Sequence, residues 1–240
     1  MKSLIIIISF QLLFFHFNLF AQEQSHDTGM DYEELVRSVK DQYGLDQVLA
    51  NGVFYKNNYL NVAGHQFFPD GKLSDGTLIY KGREYKNVAM KYDIYDQELI
   101  LYLHHNNLAV WIVPPDDFIT AFGLSDKYFS KYNIMGEPRF YQVVFDTEKL
   151  KCLYYWSKQI NEVSHGGNTI SFRFSEGEKD MFLNLDGPFE QFRNNRSFIE
   201  IFPTEAKDMV RQYIKMNHIK ITKSIDEEVY ELFNYCISFL

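Results

Sequence analysis

Residues 91–101, KYDIYDQELIL, carry three carboxylates, Asp93, Asp96 and Glu98. Two acids facing each other across a groove can hydrolyse a glycosidic bond, one protonating the leaving oxygen while the other attacks or activates water. That chemistry needs the carboxyls several ångströms apart on a concave surface. The same residues also suit a tight turn between two strands, in which an Asx side chain bonds the local backbone, and this is the better account of Asp93 and Asp96. His104-His105 closes an apolar stretch. Neighbouring strand residues point to opposite faces, so one metal would need further ligands such as Asp116 or Asp117. Those two acids follow Pro114-Pro115 and read more simply as a turn or helix start.

His165-Gly166-Gly167 has the form of an esterase oxyanion loop, but the Gly-x-Ser-x-Gly elbow that such enzymes require is missing. A loop between strands is expected there. His65 follows Gly64 in a loop with no partner visible in the sequence. Asn195-Arg196-Ser197 fits the N-glycosylation pattern, which matters only in a eukaryotic host. Cys152 and Cys236 are expected as buried thiols rather than a bridge, since two cysteines do not make a disulfide framework. The 22 Phe, 17 Tyr and 2 Trp are read as core-building strand residues in preference to a sugar- or peptide-binding platform. No residue is assigned a catalytic, cofactor-binding or metal-binding role.

The elements that would position these residues are mostly short strands. Thr77–Tyr80 and Glu84–Tyr92 flank Lys81-Gly82-Arg83 as a hairpin. Gln97–His104 and Leu108–Val113 are strands around His105-Asn106-Asn107, the second stopped by two prolines. Arg139–Phe145 and Leu150–Lys158 form a second hairpin, with Leu150, Cys152, Tyr154 and Trp156 on one face by period two. Thr169–Phe174 and Met181–Leu185 suggest a third hairpin across Ser175–Glu178. Helices are expected from Asp31 to Gly44, where Tyr32, Leu35, Val36, Val39 and Tyr43 recur at helical spacing, and from Glu205 to Asn217 behind a Thr204 cap. A last helix follows Ser224–Glu227, read as a capping box, with Val229, Leu232, Phe233, Cys236, Ile237 and Leu240 on one stripe. The fold class is thus mainly β (α+β): antiparallel sheets forming a sandwich or open barrel, one N-terminal helix and two C-terminal helices.

The beginning of the chain addresses it. Lys2, the apolar run Leu4–Phe20 and the small residue Ala21 have the three parts of a secretory signal, with cleavage expected between Ala21 and Gln22. The run is short for a permanent span and contains Gln11, His16 and Asn18. No Cys near the cut offers a lipid anchor. Residues 22–30 form a loose polar leader, and 31–240 one β-rich domain with a helical part at 204–240. Loss of Lys2 takes the formal charge from −8 to −9, which argues against a nucleic acid partner or an anionic membrane face.

Asn51, Gly52, Gly64, His65, Phe67, Phe68, Tyr80, Gly82, Tyr85, Lys91, Tyr92 and Asp93, with the tail from Phe202 to Cys236 and the leader ending Phe-Ala-Gln, resemble a group of exported proteins of Bacteroidota. The resemblance implies export and a β-rich fold and supplies no catalytic residue. The expected protein is exported, periplasmic or at the cell surface, soluble and non-catalytic, without a retained span. It would bind an envelope protein, a glycan or a peptide. An exported hydrolase with an acid- or metal-based site is the alternative, and a small outer-membrane β-barrel is the second.

Overall fold

The computed structural model of the protein describes residues 48–105, 108–164 and 170–240. The expected signal segment, polar leader and helix from Asp31, like His165, lie outside the described residues. Strands dominate. In chain order they are β1 (Val53–Phe54), β2 (Val62–Ala63), β3 (Phe67–Phe68), β4 (Ser74–Tyr80), β5 (Arg83–Asp93), β6 (Glu98–His105), β7 (Leu108–Val113), β8 (Ile119–Leu124), β9 (Lys127–Asn133) and β10 (Pro138–Asp146). They continue as β11 (Lys151–Ser157), β12 (Ile160–Ser164), β13 (Ile170–Phe174), β14 (Glu178–Asn184) and β15 (Glu190–Phe192). Three helices follow, α1 (Asn195–Ile201), α2 (Thr204–Met216) and α3 (Asp226–Ile237).

Twelve strands form one antiparallel sheet in the order β1-β7-β6-β5-β4-β8-β9-β10-β11-β14-β15, with β3 attached to β5. It consists of two meanders, β4 to β7 and β8 to β11, running outward from a central β4–β8 seam. The β4–β5 turn contains only Lys81 and Gly82, both at positive φ, 51° and 73°. This is the two-residue turn whose twist matches that of the flanking strands. At the seam, Thr77 pairs with Gly123 and Gly76 with Leu124. A Cβ at Gly76 would lie 2.0 Å from the Gly123 carbonyl oxygen, so the two meanders can join here only with glycine at that position.

One face of the sheet is buried from β5 to β15, β1 at the other end being exposed, and over the buried part the sheet curls. Tyr92 on β5 and Phe140 on β10 are four ladder steps apart, about 19 Å in a flat sheet, yet their ring centroids are 6.2 Å apart. Phe122 and Phe129 fill the space between, stacked at 4.9 Å. The sheet nevertheless does not close: β1 and β15 are its two ends. Over β10, β11, β14 and β15 the same face is covered by the helices, through Phe198, Val210, Ile214, Val229, Leu232, Phe233 and Cys236. A closed outer-membrane barrel does not match this arrangement. Among the described residues no helix is long and apolar enough to cross a membrane.

Three local expectations are corrected. β13 and β14 do not form a hairpin: β13 pairs with β12 and, in parallel, with β2, whereas β14 pairs with β11 and β15. Met181 and Leu183 on β14 bury against the helices beside Tyr154 and Cys152 of β11, whereas in the apolar row of β13 Phe174 is buried and Ile170 and Phe172 are exposed. Thr204 is the first residue of α2 and not its cap, and the Ser224–Glu227 capping box does not form, because α3 starts after Ile225 without a side-chain cap. A reciprocal box instead starts α1, an additional helix, between Asn194 and Ser197. Two cysteines expected as buried thiols are both free and buried.

Replacing Gly76 by Ala should destabilise the protein by roughly 2 kcal/mol or more, because a backbone carbonyl cannot yield as a flexible side chain can. Gly123→Ala should cost less, its new Cβ meeting the movable Thr77 Oγ1 at 2.7 Å. Urea denaturation of both variants reads the difference, and equal losses would contradict the seam geometry.

Candidate functional site

Two places gather polar chemistry, and they sit on either side of Trp156. The first is the β5–β6 turn. Asp93 is fully buried, and its Oδ1 accepts the backbone N–H groups of Tyr95 and Asp96, each at 2.9 Å. The expected Asx turn is therefore present. Gln97 occupies the left-handed region at φ 61°. Its side-chain amide donates to the carbonyls of Ile94 and Trp156 at 2.8 and 3.0 Å, and its oxygen accepts the Tyr92 hydroxyl at 2.6 Å. These bonds fasten the turn to the end of β11.

The other two acids do not join Asp93 in a cleft. Asp96 is exposed and accepts the Tyr59 hydroxyl on both oxygens, at 2.8 and 2.9 Å. The Tyr59 ring is held edge-on by Tyr95 and Phe174, and burial followed by the Asp96 contact raises its pKa. Glu98 is exposed on β6, its pKa raised by partial burial and by Asp96. Asp93 Oδ2 is buried without a hydrogen-bond partner. Desolvation pushes the carboxyl up to about 6, against the two backbone bonds, with Asp96 and Glu98 adding to the rise. This is a carboxyl shaped by its turn and withdrawn from water.

The histidines are equally dispersed. His65 accepts the Phe67 N–H on Nδ1 at 3.3 Å, and Lys158 Nζ donates to its carbonyl at 2.7 Å. Burial and then Lys158 lower the His65 pKa. His104 and His105 end β6 opposite Ala109 and Leu108. Asp116 lies in a 3-10 turn with Asp117, as the sequence suggested, and binds Lys131 at 2.8 Å. Among the described residues no three His, Cys, Asp or Glu side chains are grouped to hold a metal ion. Asn195 of the glycosylation pattern is occupied: it donates to the Ile219 carbonyl at 2.7 Å and accepts the Ile221 N–H at 2.9 Å.

The second place is a cleft of about 550 Å³ where the helical layer stops covering the sheet. Register explains it. Tyr154, Met181 and Phe192 form the last rung of β11, β14 and β15 that reaches beneath the helices, and Trp156 with Lys179 form the next one. The cleft is lined by Trp156, Lys179, Met181, Phe192, Arg193 and Thr222, with Gly177, Glu178 and Asp180 along its rim strand. Trp156 is anchored by its indole N–H, which donates to Gln142 Oε1 at 2.7 Å. The buried Gln142 passes its own N–H to Asp226 at 2.9 Å, and Asp226 also binds Lys127 at 2.9 Å. The sequence reading missed this site altogether. Only the period-two row ending at Trp156 hinted at it, because Lys179, Gln142 and Asp226 are distant from it along the chain.

Asp93→Asn gives a signed prediction. The folded pKa lies above the ordinary value of 3.8, so the native carboxyl resists ionisation and stability falls as pH rises from about 4 to about 6, by about 3 kcal/mol at most. The Asn variant should lack this component, so that the wild type loses stability relative to it across that window and the two curves run parallel above it. Thermal melts at half-unit pH steps check this; a difference independent of pH would contradict it.

The comparisons add no relative to this geometry: no family model, no curated protein and no solved structure matches the chain.

Proposed function

We propose that the protein is an exported, non-catalytic binding module of the cell envelope whose ligand enters the cleft beside Trp156. The observation that carries this is the cleft itself. It is concave, sets the partly exposed indole of Trp156 among polar and charged residues such as Lys179, Arg193 and Thr222, and falls in the size range of small-ligand sites. Export is supported by the cation, apolar run and Ala21 at the start of the chain. A hydrolase built on Asp93 or Asp96 fits less well, since one is sealed in a turn and the other is capped by Tyr59. An acid–base pair must reach the bond that it cleaves.

Two measurements test the reading. The intact mass of protein recovered from the exported fraction should correspond to a chain starting at Gln22; recovery of the uncleaved chain would count against export. In amide spectra of the labelled protein, a panel of small aromatic and sugar fragments should shift the signals of Trp156, Lys179, Met181, Arg193 and Thr222. Shifts centred on Asp93, Asp96 and Tyr59 would favour the hydrolase.

A further inference from the structure

Lys179 is an unusual residue to find at the mouth of a core. Its strand neighbours on the same face are Met181 and Leu183, both buried among the helices. Its ammonium lies 4.2 Å from the centre of the Tyr154 ring and 5.9 Å from that of Trp156. No carboxylate among the described residues lies within ion-pair distance of it. Asp226, the carboxylate that acts on it, is already engaged by Lys127 and by Gln142. Burial lowers the Lys179 pKa, and Asp226 only partly offsets this. Stacking on aromatic faces recovers about 1–2 kcal/mol for a desolvated cation, less than a charge-assisted bond with an anion would.

The remaining charges around the cleft sort by strand alternation. Glu178 and Asp180 flank Lys179 in sequence, so their side chains project from the opposite face of β14, the face that holds Tyr155 and Phe182. Asp180 there accepts the Gln191 amide at 2.8 Å. Arg193, exposed just beyond β15, makes no ion pair among the described residues; its guanidinium touches Gln191 at 3.4 Å and its backbone N–H donates to Ser197 Oγ at 2.9 Å. The inner face of the cleft thus presents one cation without an anion, Lys179, beside the partly exposed indole of Trp156, with Arg193 at the rim and with Phe192 and Met181 buried behind.

Resting on the binding reading above, we propose that this cleft takes a small aromatic carboxylate, its flat body against Trp156 and its acid group at Lys179, with Arg193 at the rim adding to the positive charge. A flat ring suits the partly exposed indole of Trp156. A carboxylate supplies the counter-charge that the half-buried ammonium lacks, and it would return the Lys179 pKa upward. A neutral ring compound would leave both cations as they are, and a cationic one would be repelled.

The test is isothermal titration of the exported protein with 1-naphthoate, 1-naphthylmethanol and 1-naphthylmethylamine. The carboxylate should bind about tenfold more tightly than the alcohol, and the amine most weakly. Lys179→Met keeps the stem over Tyr154 and removes the charge; it should bring naphthoate down to the level of the alcohol while leaving the melting temperature unchanged or higher. Arg193→Gln, at the exposed rim, should weaken naphthoate about threefold with the fold untouched. Glu178→Gln should change nothing, because that side chain faces away. Equal affinity for acid and alcohol, or full naphthoate affinity in Lys179→Met, overturns the ligand class while leaving a binding cleft. Absence of binding by all three compounds also overturns it, and fragment shifts at Trp156 and Thr222 then tell whether the binding reading survives.

Discussion

Trp156 donates its indole N–H to a glutamine that would otherwise be a buried polar liability, and much of the architecture follows from that bond. Gln142 sits on the core face of β10, 2% exposed. It is tolerated because both ends of its amide are engaged, one by Trp156 and one by Asp226 at the start of α3. A buried amide left half-satisfied would cost about 1–3 kcal/mol. The pair therefore sets where β11 ends relative to the last helix. The indole also touches both apolar clusters on this face, the aromatic one inside the curl and the one beneath the helices. It marks the boundary between a sheet that covers itself and a sheet that needs helices.

That division has a simple cause. A sheet with one apolar face must bury it. On the side of β4 to β9 the large rings of Tyr92, Phe122, Phe129 and Phe140 reach one another across the curl. Beyond β10 the curl no longer brings opposite strands into contact, and Phe198, Phe233 and their helices take the place of the missing strands. Where the two modes of cover meet, neither is complete, and the cleft opens there. Among the described residues the opposite face carries the small cluster of Tyr141, Leu153, Tyr155 and Phe182, with Ile100 and Ala121 also buried there.

The acid-bearing turn shows how a residue pattern can suggest chemistry and perform a structural task. Asp93 supplies the acceptor that two backbone N–H groups need at a bend closed by a left-handed Gln97. Its second oxygen has no partner, so the carboxyl remains protonated further up the pH scale than usual. Perturbed groups of this kind often mark catalytic sites. Here the burial that perturbs the group also removes it from any substrate.

Much of the fold was legible in the amino-acid order because its causes are local. Lys81-Gly82 between two β-branched and aromatic stretches encodes a hairpin, Pro114-Pro115 ends a strand, and the stripe from Val229 to Cys236 encodes a helix face, each through backbone sterics or side-chain period. The Asx turn at Asp93 is equally short-range. Strand partnership was not legible: β13 and β14 are neighbours in sequence with a glycine-containing loop between them, yet they pair in different sheets with strands distant in the chain, β2 for one and β11 for the other. A reciprocal cap forms at Asn194 of α1 and not at Ser224, where Asp226, the first residue of α3, binds the distant Gln142 instead. The cleft was the least legible feature. Trp156, Lys179, Arg193 and Thr222 meet only after the sheet has curled and the helices have stopped one rung short of the end of β11. The sequence by itself thus determined the turns, the faces and the aromatic supply, all set within a few residues; tertiary structure alone decided which faces meet and where cover runs out, since both depend on packing between segments far apart in the chain.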